Sequence, residues 1–177
     1  IPLRLVGSEM CIRDRTTILR DMGAAMSPFN AFMFIQGLET LALRMREHSS
    51  NAEKVAQYLS NHESVERVIY PSVMDGYSKD RAEKYLTRGN GGLMGFEIKG
   101  GIEAGKKFIN ALEMVYHVAN IGDSRSLAIH PGSTTHSQLN EEELLSAGIT
   151  PGFVRLSIGL EHIDDIIADY EQALAKI

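Results

Sequence analysis

From Ser27 onward, apolar residues recur at steps of three and four: Phe32, Ile35, Leu38, Leu41, Ala42 and Met45, then Ala52, Val55, Ala56 and Leu59. That is the period of one helix face. Ser27 suits the N-cap and Pro28 the first helical position. The pattern stops near Asn61-His62, so it predicts one very long helix, or two with a break near Ser49-Ser50. A single helix would span on the order of 50 Å at about 1.5 Å per residue. That is more than one small domain needs, so the expectation is a connecting helix that bridges to a further part of the protein.

Beyond it the period changes. Val65 to Tyr70 alternates and ends at Pro71, which predicts a strand. A loop and short helix follow in "SVMDGYSKDRAEKYL", then a flexible "RGNGG" turn. Leu93 to Lys99 reads as a second strand, stopped by Gly100-Gly101, and Ile102 to Val115 as a helix with Ile102, Phe108, Ile109, Leu112 and Val115 on its apolar side. "YHVANIG" predicts a third short strand, and "SLAIHPGSTTH" an extended stretch broken by Pro131-Gly132. Asn140 caps a helix whose first turn carries glutamates, where the helix dipole favours anions. Phe153 to Ile158 is the fourth strand, and Ile163 to Lys176 a final amphipathic helix with Ile163, Ile166, Ile167, Tyr170 and Leu174 inward. The predicted fold is α/β (α+β): a four-stranded mixed sheet with helices on one face, preceded by the long connecting helix.

Residues 1–15, "IPLRLVGSEMCIRDR", show neither period. They have no signal-peptide layout and resemble a translated sequencing-adapter remnant. They are therefore excluded from the fold, and Cys11 with them as a nucleophile. On that reading the frame was cut, and the chain is the tail of a longer protein.

Composition narrows the classes. The chain has 177 residues, 44% apolar and 23% charged, which is enough for one domain with a real core. A net charge of -5 and no basic cluster argue against nucleic acid as partner. No apolar run is long enough to cross a membrane. The single cysteine excludes a disulfide framework and makes a reducing cytoplasm the expected compartment.

The fourth strand poses the chemical question. Alternate side chains share a face, so Val154, Leu156 and Ile158 face the core, while Phe153, Arg155 and Ser157 point the other way. Two readings stay open at this level. One is a solvent-facing arginine on a half-exposed sheet. The other is a carboxylate clamp, since guanidinium offers a planar fork that a carboxylate matches bidentately. "HVANIGDSRSLAIHPGSTTH" is dense in polar groups, and its Gly122 and Gly132 let backbone approach a ligand. His130 and His136 are six apart, without a carboxylate or cysteine to complete a metal set. "GNGGLMG" precedes a strand, the reverse of a dinucleotide loop. No serine has a nucleophile-elbow context. None of the seven lysines sits in the apolar setting a Schiff base needs.

Four segments together carry a likeness: "RTTILRDMGAAMSPFNAFMFIQGLETLALRM", "EIKGGIEAGKKFINAL", "HVANIGDSRSLAIHPGSTTH" and "EEELLSAGITPGFVRLSIGLEHIDDIIADYEQAL". From about Arg15 to Ile177 the chain resembles the C-terminal part of the Cys/Met-metabolism family of pyridoxal-phosphate enzymes. Asn120, where lyases and cystathionine synthases carry serine, and "STTH" resemble the family's O-acetylhomoserine sulfhydrylase branch; Gly132 departs from the usual alanine. The resemblance implies an aminotransferase-like, fold-type I protein. In it residues 16–62 form the interdomain segment, residues 63–177 the small domain, and a pyridoxal-phosphate-binding N-terminal domain is absent. It implies that Arg155 holds the substrate α-carboxylate, that Asn120 flanks it, and that Thr135 lies near the pocket. No catalytic or cofactor-binding residue is expected in this chain, because the Schiff-base lysine and phosphate-binding residues belong to the absent domain. The implied substrates are O-acetylhomoserine and a thiol, either sulfide or methanethiol, and the implied assembly is a homotetramer. The branches that make cystathionine or degrade methionine are the runner-up, with Asn120 the discriminator. A freestanding ligand-binding α/β module is the alternative of another class.

Overall fold

The computed structural model describes residues 17, 19–23 and 25–177, with Glu141 described in its backbone alone. The adapter-like stretch 1–15, and Cys11, lie outside the described residues. The chain divides into two units between Leu41 and Ala42.

In the first unit, a helical turn Arg20–Met22 ends at Gly23, whose φ of 67° is the left-handed conformation that glycine adopts without strain. Helix α1 spans Pro28–Glu39. The Ser27 hydroxyl accepts from the Asn30 amide at 3.2 Å, and Pro28 opens the first turn, so the predicted start is realised. None of its residues is buried: Phe29, Phe32, Met33, Phe34, Ile35 and Leu38 are all exposed. The apolar period records that a face needs covering, and nothing among the described residues covers it.

Helix α2, Leu41–Ser60, runs through Ser49-Ser50 without interruption. The break falls at Thr40 instead, which adopts φ −99° and ψ 0° between the two helices. A serine pair reads as a breaker because hydroxyls compete for backbone groups. Here the Ser49 hydroxyl is engaged elsewhere, accepting from the Gly91 amide at 3.1 Å.

The sheet has five strands, where the sequence pattern predicts four: β1 Val65–Ile69, β2 Leu93–Ile98, β3 Tyr116–His117, β4 Leu127–Ile129 and β5 Phe153–Ser157. Their order is β1-β2-β5-β4-β3, antiparallel throughout except for the parallel β3–β4 pair. The added strand is β4, three residues long and wholly buried, so it shows no alternation to detect. The predicted third strand shrinks to Tyr116–His117, because the chain leaves the sheet at Val118.

The core lies on one face of this sheet. Met94, Phe96 and Ile98 of β2, with Val154, Leu156 and Ile158 of the β5 segment, share a buried cluster with three helices. Helix α2 contributes Ala52, Val55, Ala56 and Leu59. Helix α3 is Tyr77–Tyr85, and α4, Gly101–Ala111, contributes Ala104, Phe108 and Ile109. Helix α5, Glu141–Ser146, starts with a full capping box between Asn140 and Glu143, and α6, Ile163–Leu174, contributes Ile166, Tyr170, Ala173 and Leu174. The Phe108 ring meets Phe96 edge-on at 5.4 Å and lies 6.0 Å from Tyr170. Each such buried side chain stabilises the fold by about 1.5–3 kcal/mol. Helix α4 ends before the predicted Val115. The carboxylate of Asp169 on α6 accepts from the amides of Glu113, Met114 and Val115 at 2.9, 3.0 and 2.9 Å, and these amides are thereby drawn away from a helical ladder.

Candidate functional site: the outer face of the sheet

With Val154, Leu156 and Ile158 drawn into the helix-covered core, β5 turns Phe153, Arg155 and Ser157 to the opposite face. Arg155 pairs with Gly95 on β2 and with Ile129 on β4. Gly95 is a requirement of packing. A Cβ there would sit 2.4 Å from Phe153 Cε2, so the ring lies over the space a side chain would fill. One apolar wall of the arginine's surroundings is thereby set, and buried Leu127 and Ile129 lie on the neighbouring strand.

Arg155 is half-buried, and its Nη2 donates to the backbone carbonyl of Asn120 at 3.2 Å. Asn120 belongs to the loop between β3 and β4. Its own side chain turns back, with Oδ1 accepting from the Ile121 amide at 3.0 Å. The acid of that loop, Asp123, is occupied by the Arg125 amide at 3.0 Å, and that bond holds its carboxyl below the usual carboxylate range. Arg125 in turn stacks on Tyr116 at 4.4 Å. The Arg155 guanidinium has five N–H donors, and one backbone carbonyl takes part of that capacity without cancelling its charge. Such a group accepts a carboxylate bidentately.

The loop is tied down along its length. The Gly122 amide donates to Ser157 Oγ at 3.1 Å, and the Leu160 amide to the Ser124 carbonyl at 2.7 Å. Ser126 donates from its amide and its hydroxyl to the two oxygens of Glu161 at 2.6 and 2.9 Å, and its hydroxyl accepts from Gly159 at 2.8 Å. Gly159 tolerates no Cβ, which would lie 2.3 Å from Glu161 Oε2. From α2, His48 Nδ1 meets the Ile158 carbonyl at 2.6 Å, and Asn51 donates to the carbonyls of Gly159 and Glu161 at 3.2 and 3.0 Å.

The sequence reading missed Glu161, His48, Asn51 and the steric role of Gly95. His48 and Asn51 did leave a signal: they are polar residues on the buried side of α2, in step with Ala52, Val55 and Ala56. Glu161 left none, being one more acid after a strand.

Thr135 is exposed, and its hydroxyl lies 2.9 Å from Nδ1 of its neighbour His136. No hydrogen bond joins it to Arg155 or Asn120 among the described residues. His130 is fully buried. Its Nε2 donates to the Pro151 carbonyl at 2.8 Å and its Nδ1 meets Ser133 Oγ at 2.8 Å. A carbonyl cannot donate, so the proton is on Nε2. Burial holds the imidazole below its ordinary value, so the ring is neutral and bonds two loops together. Among the described residues no three metal-ligating side chains converge. All seven lysines are exposed.

Against known proteins, the sequence matches the family described as Cys/Met metabolism PLP-dependent enzyme over residues 5–175. It is 54% identical over 177 residues to the O-acetyl-L-homoserine sulfhydrylase of Leptospira meyeri, covering 99% of this chain and 40% of the relative. It is 42% identical over 176 residues to the L-methionine gamma-lyase of Fusobacterium nucleatum subsp. polymorphum, covering 99% of this chain and 44% of that one. Among solved structures, it is similar to a putative O-acetylhomoserine (thiol)-lyase of Campylobacter jejuni with N'-pyridoxyl-lysine-5'-monophosphate at position 205. The TM-score is 0.83 and the identity 48%, over 93% of this chain and 39% of that one. The chain thus spans about two fifths of the length of the relatives it matches.

Proposed function

The chain belongs to the Cys/Met metabolism family of pyridoxal-phosphate-dependent enzymes, and from that premise we propose that it is the C-terminal part of an O-acetylhomoserine sulfhydrylase. The whole protein exchanges the acetate of O-acetylhomoserine for sulfide or methanethiol, breaking a Cγ–O bond and forming a C–S bond, to give homocysteine or methionine. The higher identity to a sulfhydrylase, 54% against 42% for a methionine gamma-lyase, supports that branch. Pyridoxal phosphate supplies the electron sink this replacement needs. In this reading the lysine that attaches the cofactor belongs to residues outside these 177, and the isolated chain is inactive; the exposure of all seven lysines here supports it.

In this reading Arg155 grips the α-carboxylate of the amino-acid substrate, and Asn120 flanks it. Thr135 is assigned to the same pocket on the match of the "STTH" segment alone. The observation that carries the proposal is the placement of Arg155: off the core, on the face of β5 that also carries Phe153, with its guanidinium bonded to a neutral carbonyl. A carboxylate held there is oriented, and no proton is moved by the arginine; the gain is positional. The full-length protein is taken to be a cytoplasmic homotetramer. The uncovered apolar side chains of α1 support a further partner surface, and no helix among the described residues is long and apolar enough to cross a membrane.

The test is steady-state kinetics of the full-length Arg155→Ala enzyme with O-acetylhomoserine and sulfide. Losing a charged hydrogen-bond pair lowers kcat/KM at least about tenfold. Unchanged kinetics would refute the clamp.

A further inference from the structure

Arg155 and Asn120 meet because the loop carrying Asn120 is fastened to the strand carrying the arginine. Of the fastenings, one is placed symmetrically about the pair. Ser157, two residues beyond Arg155, accepts from Gly122, two residues beyond Asn120, at 3.1 Å. Ser157 lies on the same face of β5 as Arg155 and is 4% exposed, so water does not compete for its hydroxyl. The Leu160–Ser124 and Glu161–Ser126 bonds hold only the far end of the loop. Near Asn120, the Gly122–Ser157 bond is the tether to β5 besides the Arg155 bond itself.

Resting on the carboxylate role of Arg155 proposed above, we propose that Ser157 is a positioning residue. Its hydroxyl holds Gly122, and through it the Asn120 carbonyl, so that one N–H of Arg155 is fixed and the rest of the fork is aimed at the substrate carboxylate. A guanidinium on a long stem otherwise loses its rotamer freedom at the moment of binding. Ordering it beforehand transfers that cost to folding. Removing the hydroxyl leaves the charge in place and removes its aim, so substrate capture weakens while the chemistry that follows is untouched.

The experiment is a double-mutant cycle in the full-length enzyme, following KM for O-acetylhomoserine and kcat separately. Ser157→Ala alone raises KM about threefold to tenfold, the worth of one net hydrogen bond, with kcat within about twofold. Arg155→Lys keeps the charge and gives up the fork. In that background Ser157→Ala raises KM by less than about twofold, because the group it positions is gone. An equal rise in both backgrounds, or no rise in either, overturns the proposal: Ser157 then serves the fold alone. Arg155 variants with unaltered kinetics overturn the clamp as well, a separate result. If Ser157→Ala does not fold, Ser157→Cys keeps the buried shape with a weaker acceptor and carries the same comparison.

Discussion

The guanidinium of Arg155 donates to the backbone carbonyl of Asn120 at 3.2 Å, joining two residues 35 apart in sequence. The nature of the acceptor matters. A carboxylate partner would neutralise the arginine and compete with any acidic ligand. A peptide carbonyl orients the fork and leaves its charge uncancelled. The same loop keeps its own acid, Asp123, occupied with Arg125. The Arg155 guanidinium thus keeps an uncancelled charge on the outer face of the sheet.

Replacing Gly95 by alanine should disturb that arrangement from the opposite strand. The new Cβ meets Phe153 at 2.4 Å, so the ring must move, and overpacking of this kind costs about 1–3 kcal/mol. Thermal unfolding of Gly95→Ala is expected to show the loss. In a Phe153→Ala background most of it should disappear, since the clashing atoms are gone. An undiminished loss in that background would mean the strain lies elsewhere.

Acid should destabilise the fold through His130. Burial lowers its folded-state pKa below the ordinary 6.5. Between those two values the unfolded chain binds a proton that the folded chain refuses. Stability is therefore full above about pH 6.5 and declines as pH falls through the folded value. Urea midpoints between pH 7.5 and 5.5 measure the decline. An imidazole NMR titration of folded His130 should give a midpoint below the ordinary 6.5; a midpoint at or above it contradicts the assignment.

Pyridoxal phosphate added to the isolated 177-residue chain should keep the absorption spectrum of the free aldehyde in buffer. Every lysine is exposed, and an imine on an exposed amine is open to hydrolysis by water, so it does not persist. A persistent red-shifted band that survives dialysis would show that one of these lysines holds the cofactor after all.

What the sequence determined by itself is what local periodicity and local chemistry encode. The Ser27-Pro28 start of α1, the Asn140 cap of α5, the amphipathic α6 and the two-faced β5 were all readable, because each depends on residues within a few positions of one another. Placing Arg155 on the face opposite the core needed only the alternation of its strand. Tertiary structure decided the rest. Strand β4 exists because β5 offers it a ladder, and its three buried residues have no period of their own. Helix α2 runs unbroken through Ser49-Ser50, where a glycine loop distant in sequence donates to the Ser49 hydroxyl. The meeting of Arg155 with Asn120, and the fastening of that loop by Ser157 and Glu161, join segments about 35 residues apart. Such bonds leave no trace in spacing, because hydrogen-bond partners brought together by the fold need only be near in space.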